Sequence, residues 1–188
     1  MLRGNTQNIQ TMSFKKNIEI IAKRIRDIPD FPKEGIIFKD ITPVLSDIKT
    51  FRIAVREMAA PYIDQKIDVV VGIESRGFIF GAPIADILGC SFVPVRKPGK
   101  LPSKTKSISY ELEYGSDSLE IHEDAINNGE KILVVDDLLA TGGTAEATCK
   151  LISKLDGNIV GFAVLIELEF LKGRDKLNQY NVHSLVKY

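Results

Sequence analysis

The stretch ILVVDDLLATGGT, residues 132–144, decides how the rest of this chain is to be read. Its first half, with Lys131 in front, is an unbroken apolar run, the pattern of a strand covered on both faces of a parallel sheet. That strand runs into two carboxylates, Asp136 and Asp137, then into Leu138, Leu139, Ala140 and the group Thr141, Gly142, Gly143, Thr144, which opens a helix over residues 144–155. A helix N-terminus offers amides that lack intrahelical partners and the positive end of the helix dipole, and glycines let an anion come close to the backbone. An ionised carboxylate only accepts hydrogen bonds, so a pair of them just ahead of such a loop suits the 2′,3′-diol of a ribose whose 5′-phosphate sits in the loop. The loop lacks the GK[ST] ending of a P-loop and no GxGxxG follows any strand, which disfavours nucleoside triphosphates and dinucleotides.

Working outward, DVVVGI at residues 68–73 predicts a second covered strand, residues 77–89 a helix and residues 91–97 a strand. A polar loop with four lysines follows at 97–107, and ISYELEYG and SLEIHE alternate around a turn at 115–117, the signal of a hairpin. After the helix at 144–155 come a strand at 158–168, a weaker helix and a last strand at 182–188. Toward the N-terminus, Phe14, Ile18, Ile21 and Ile25 draw one stripe on a helix over 14–27, which Pro29 stops. Residues 28–45 read as a proline-rich extended segment with a short strand at 36–38, and residues 50–62 as a further helix. Helices alternating with apolar strands predict an α/β fold with a mainly parallel central sheet flanked by helices. Ligands of such sheets bind beyond the carboxyl ends of the strands. One domain is expected over residues 13–188, after a flexible polar tail at 1–12.

Lysine plus arginine equals aspartate plus glutamate, 25 each, so the basic excess of a nucleic-acid binder is missing. No apolar run has the length of a secretory signal or a membrane span, which predicts a cytoplasmic protein without membrane contact. Cys90 and Cys149, with no CxxC and no nearby histidine pair, are expected to be small buried hydrophobes. His122 and His183 fall in alternating strand patterns and are expected to have surface or structural roles, and no Ser-His-Asp or Cys-His arrangement can be built.

The segment VVDDLLATGGT resembles the phosphoribosyl-pyrophosphate (PRPP) motif of the type I phosphoribosyltransferases, in the adenine-specific branch. IPDFPKEGIIFKDITPVL, GIESRGFIFG, VRKPGKLP and SYELEYG are similar to that branch in the same order, covering residues from about 25 to 172. The resemblance implies the type I phosphoribosyltransferase fold, with an N-terminal hood at about 28–45 and an arm made of a β-hairpin and a flexible loop. It implies purine salvage: adenine and PRPP give AMP and diphosphate. Asp136 and Asp137 would then hold the ribose, and Ala140, Thr141, Gly142, Gly143 and Thr144 the 5′-phosphate. Glu74, Ser75 and Arg76 would form the pyrophosphate loop, with Arg76 reaching the leaving group or the base. Arg96, Lys97 and Lys100 match the family's lid, whereas for Lys104 and Lys106 a merely solvated loop stays open. Glu113 would lie near the purine and assist proton movement as N9 becomes the nucleophile, with Tyr114 beside it. Backbone groups of Ile37 and Lys39 would read adenine, Phe38 would stack on one of its faces and Leu138 on the other. Mg²⁺ is expected to arrive with PRPP rather than in a protein cage, and a homodimer is expected. A rival in the same fold is a PRPP-binding transcription regulator, for whose winged helix the segment before the core is expected to be too short. Transfer to a 6-oxo purine is the rival within the enzyme class, against which GIIFKD and SYELEYG argue.

Overall fold

Apolar strand and helix patterns resolve into two compact units, Met1–Glu57 and Met58–Tyr188, in a computed structural model. It describes residues 3–111 and 116–188, the side chains of residues 3–11, 111 and 116 excepted.

In the N-terminal unit, helix α1 spans Arg3–Ala22. It begins earlier than the stripe from Phe14 and takes in most of the expected tail, because an apolar stripe marks where a helix buries a face and not where its backbone hydrogen bonds begin. It also stops short of residue 27, since β1 (Arg26–Ile28) pairs antiparallel with β2 (Phe38–Asp40) from Arg26↔Asp40 to Ile28↔Phe38. The short strand is thus two residues later than expected. Asp40 closes this ribbon. Its carboxylate accepts from the Thr42 amide at 2.8 Å, at the start of α2 (Thr42–Leu45), and from both Nε and Nη2 of Arg26. The Thr42 hydrogen bonds foremost, then Arg26, hold its pKa down to about 2. Helix α3 (Ile48–Ala59) follows, with Ala54 and Val55 buried.

The C-terminal unit is built on five parallel strands. β3 (Val69–Ile73) is buried throughout, as its β-branched run requires. Helix α4 (Gly77–Leu88) leads to β4 (Ser91–Val95), and the chain then leaves the sheet for an antiparallel hairpin of β5 (Thr105–Glu111) and β6 (Ser116–His122). β5 takes up Lys106, the last lysine of the expected loop, and Ser116 belongs to a strand rather than to the turn. β7 (Lys131–Leu139), α5 (Gly143–Ser153), β8 (Asn158–Glu167), two 3-10 turns at Glu169–Leu171 and Gly173–Leu177 in place of the weaker helix, and β9 (Val182–Lys187) complete the unit.

The sheet order is β4-β3-β7-β8-β9, so the five strands taken in chain order lie 2-1-3-4-5. The connections leaving β3 and β7 run to opposite sides, which makes the carboxyl ends of these two neighbours the topological switch point where an open α/β sheet binds ligands. On one face, Val69, Val71, Val134, Phe162 and Val164 pack with Ala147, Leu151 and Ile152 of α5 and with Leu119 and Ile121 of the hairpin. Cys149 joins this core, and burial pushes its thiol up to about 12, while Cys90 is only half-buried. The Nε2 of His122 is buried without a hydrogen-bond partner. Among the described residues no helix is long and apolar enough to cross a membrane.

Phe162 is fully buried at the centre of this core. Phe162→Ala is expected to lower the unfolding free energy by about 3–5 kcal/mol in urea titration followed by circular dichroism, through lost transfer energy and an uncollapsed cavity; a loss below about 1 kcal/mol would contradict this packing.

Candidate active site

Two turns meet at the switch point. The first follows β3, where Glu74, Ser75 and Arg76 lead into α4, and the Glu74–Ser75 peptide is cis. The second follows β7, which extends two residues further than expected and carries Asp136 and Asp137 inside the strand.

Both carboxylates are packed against the first turn. Arg76 Nε pairs with Asp137 Oδ2 at 2.9 Å, and Asp137 is 5% exposed. Asp136 is half-buried, its Oδ1 accepts from the Asp137 amide at 2.9 Å, and it lies against the N-terminus of α4. A Cβ on Gly77 would come within 2.7 Å of the Val135 carbonyl and 3.1 Å of Asp136 Oδ1, so only glycine lets α4 start there. Burial pushes the Asp136 carboxyl well above the ordinary carboxylate range, and the Asp137 charge adds to this. Burial raises Asp137 as well, with Arg76 working against it. One guanidinium thus faces two carboxylates.

Asp136, Leu138, Leu139, Ala140, Thr141, Gly142, Gly143, Thr144 and Ala145 line a single cleft of about 80 Å³. Pockets for whole drug-sized ligands hold roughly 300–1,000 Å³, so this one has the size for a single small group. Gly142 is the N-cap of α5 with φ +78°, and no side chain caps the helix, which leaves its first amides to the cleft. All of the expected phosphate-loop residues and Asp136 therefore meet in one place, with Leu138 beside them.

The residues expected to form a lid are engaged with protein groups. Arg96 donates from Nε to Glu74 Oε2 at 3.1 Å and from Nη1 to the Lys100 carbonyl at 3.0 Å, and the Lys97 amide donates to Glu74 Oε2 at 2.9 Å. Burial favours the neutral form of Glu74, but these hydrogen bonds outweigh it and hold its pKa below the ordinary value. Lys97 Nζ pairs with Asp117. Lys106 pairs with Glu123 at 3.3 Å, and Lys104 and Ser75 are exposed. Glu113 and Tyr114 lie outside the described residues. In the N-terminal unit, the Phe38 ring meets Phe31 edge-on at 5.1 Å, Lys39 Nζ pairs with Asp27 at 2.8 Å, and Ile37 is 56% exposed.

Sequence reading missed Tyr110 and Asp117. The Tyr110 hydroxyl lies 3.2 Å from Thr144 Oγ1 and donates to Asp117 Oδ2 at 3.3 Å, joining the hairpin to the start of α5. Placing the turn at 115–117 hid this pair, which is cross-strand in the observed register of Tyr110↔Asp117.

The family model described as Phosphoribosyl transferase domain matches residues 44–186. The adenine phosphoribosyltransferase of Nitrosococcus oceani is 55% identical over 171 residues, 91% of this chain and 100% of the relative. A crystal structure of adenine phosphoribosyltransferase from Thermoanaerobacter pseudethanolicus is 55% identical, with TM-score 0.86 over 91% of this chain and 99% of that one. The Saccharomyces cerevisiae enzyme, solved with an imino-altritol bisphosphate and adenine, is 40% identical, with TM-score 0.86 over 91% of this chain and 99% of that one.

A carboxyl whose pKa is higher in the folded chain than in the unfolded one favours folding below the unfolded value, near 3.8 for aspartate, and that advantage is lost as pH rises through the folded value. Asp136→Asn should therefore raise the thermal midpoint at about pH 7.5, and the difference should vanish toward about pH 4. Equal midpoints at the higher pH would show that Asp136 is not destabilised by burial.

Proposed function

The chain belongs to the phosphoribosyl transferase family and has the type I phosphoribosyltransferase fold, and from that premise we propose that it is an adenine phosphoribosyltransferase, joining adenine to PRPP to give AMP and diphosphate in purine salvage. The observation that carries the reading is the single cleft in which the Asp136 carboxylate of β7 and the uncapped N-terminus of α5 adjoin.

The 5′-phosphate of PRPP lies in the loop at residues 140–144, held by backbone amides and the Thr141 and Thr144 hydroxyls. Asp136 and Asp137 accept from the ribose hydroxyls. Attack of adenine N9 on the anomeric carbon forms the C–N bond as the C–O bond to diphosphate breaks, so no covalent protein nucleophile is needed. Catalysis consists of alignment, charge stabilisation of the leaving group and exclusion of water. Arg76, beside the sugar carboxylates, and the amides of residues 74–76 face the leaving diphosphate. Arg96, Lys97 and Lys100 close over it once their present partners release them. Backbone groups of Ile37 and Lys39 and the ring of Phe38 recognise adenine, and a 6-oxo purine is rejected because it leaves their hydrogen-bonding groups unmatched. Glu113 takes the N9 proton, with Tyr114 next to it on the arm.

Among the described residues no three His, Cys, Asp or Glu side chains converge on one point. The hard oxygens of Asp136 and Asp137 nevertheless fit Mg²⁺ that keeps its other positions for phosphates and waters. When bound with PRPP, the ion supplies charge neutralisation on the leaving diphosphate. The protein is proposed to act in the cytoplasm as a homodimer, without nucleic-acid or membrane partners.

The purified protein with Mg²⁺ and PRPP should convert adenine to AMP far faster than it uses guanine, hypoxanthine or xanthine, as read by separation of nucleotide products; comparable use of a 6-oxo purine would overturn the base assignment. In the same assay, Asp136→Asn combined with Asp137→Asn should raise KM for PRPP by at least about tenfold, equivalent to roughly 1.4 kcal/mol, with KM for adenine little changed. Unchanged PRPP dependence would remove the sugar from this carboxylate pair.

A further inference from the structure

We infer that the turn after β8 is a positioning device for the 5′-phosphate loop, in which Arg174 and Glu167 clamp Gly173 against the backbone of Ala140 and Gly142. The inference rests on the proposed function and adds residues that neither line the cleft nor touch the substrate.

The contact is backbone on backbone. A Cβ on Gly173 would lie 2.1 Å from the Ala140 carbonyl oxygen and 2.9 Å from the Gly142 nitrogen, and a Cβ on Gly142 would lie 2.4 Å from the Gly173 carbonyl oxygen. Gly142 also needs its positive φ of +78°, so it is fixed twice over, by conformation and by its neighbour. A phosphate loop without a side-chain cap thus has α5 on one side and the Gly173 backbone on the other. Where Gly173 sits therefore sets where the loop amides point.

Gly173 is held in place by the residue that follows it. Arg174 donates from Nε to Glu167 Oε1 at 2.8 Å, from Nη2 to Glu167 Oε2, and from Nη1 to the Val182 carbonyl at 2.9 Å. Ser184 Oγ donates to Glu167 Oε2 at 2.6 Å. Glu167 ends β8 and is 3% exposed, while Val182 and Ser184 belong to β9, so one guanidinium ties the turn to the carboxyl end of one strand and the start of the next. Leu177, fully buried, anchors the far end of the turn. The hydrogen bonds from Arg174 keep the Glu167 carboxyl below its ordinary range, so the pair stays charged near neutrality. A planar fork is required here: lysine would retain the charge but could not reach Glu167 bidentately and Val182 together.

The test measures KM for PRPP, KM for adenine and kcat in the full chain for Gly173→Ala, Arg174→Ala and Arg174→Lys, with a thermal midpoint for each. Misplacing binding groups by about 1 Å can cost about a hundredfold, so Gly173→Ala is expected to raise KM for PRPP by roughly 10- to 100-fold while KM for adenine stays within about twofold. Arg174→Ala should follow the same pattern, and Arg174→Lys should recover part of it. Unchanged KM for PRPP in folded Gly173→Ala would overturn the inference. So would an equal fall in every kinetic parameter in step with the thermal midpoint, the mark of a merely structural role. Should Arg174→Ala fail to fold, Gly173→Ala and Arg174→Lys decide. Calorimetric binding of ribose 5-phosphate to the wild type and to Gly173→Ala separates the two claims: a wild type that makes no AMP from adenine but binds ribose 5-phosphate more tightly than the variant sinks the activity and supports the clamp, whereas equal binding sinks the clamp.

Discussion

Two carboxylates side by side in the second half of a buried strand, with one guanidinium paired to Asp137, are the constraint from which the rest of the site follows. Asp137 satisfies itself with Arg76, and Asp136 is left against the start of α4 with its protonated form favoured. A chain selected only for stability would not keep such a pair, because a buried carboxylate without a full counter-charge is costly. The cost is understandable at a site whose ligand brings hydroxyl donors and a divalent cation to the same oxygens. Stability given up in the free protein is the usual accompaniment of a preorganised site.

The fold delivers the other groups to that pair by topology. β3 and β7 are neighbours whose connections diverge, so the turns after them face each other across one crevice. A chain of polar contacts then runs around it. Glu74 holds Arg96 and the Lys97 amide, Lys97 holds Asp117, Asp117 accepts from Tyr110, and Tyr110 reaches Thr144. In the proposed reading these contacts occupy the lid's cations until substrate takes their place. They also connect the leaving-group end of the site to the 5′-phosphate end. Protein groups standing in for substrate in this way keep buried polar atoms partnered in the free state.

How much of this the sequence disclosed depended on whether a feature is local. The strand–carboxylate–glycine–helix run of residues 131–153 is legible because each part is specified by its own residue types, and Asp136 lines one cleft with residues 138–145, while Asp137 turns to Arg76 instead. The parallel sheet was legible from the unbroken apolar character of β3, β7 and β8. The start of α1 was not, since residues 3–12 carry no stripe that marks a helix. The pairing of Tyr110 with Asp117 depended on a hairpin register that a turn set a residue or two away would change. The KGRDK segment at 172–176 gave no signal at all, because Gly173 matters through a contact with Ala140 more than thirty positions away. Arg96 and Lys97 were found as basic residues, but their present partners, Glu74 and Asp117, are a matter of tertiary geometry.

The claim that everything else serves is that the β7 carboxylates hold the ribose diol. The most direct measurement is calorimetric binding of ribose 5-phosphate and of 2-deoxyribose 5-phosphate, with Mg²⁺, to the wild type and to the doubly substituted Asp136→Asn, Asp137→Asn protein. The account predicts that the wild type prefers the ribose form by at least about tenfold and that the substituted protein has lost the preference, since only the carboxylates distinguish the missing hydroxyl. Equal affinity of the wild type for the two sugars would contradict it.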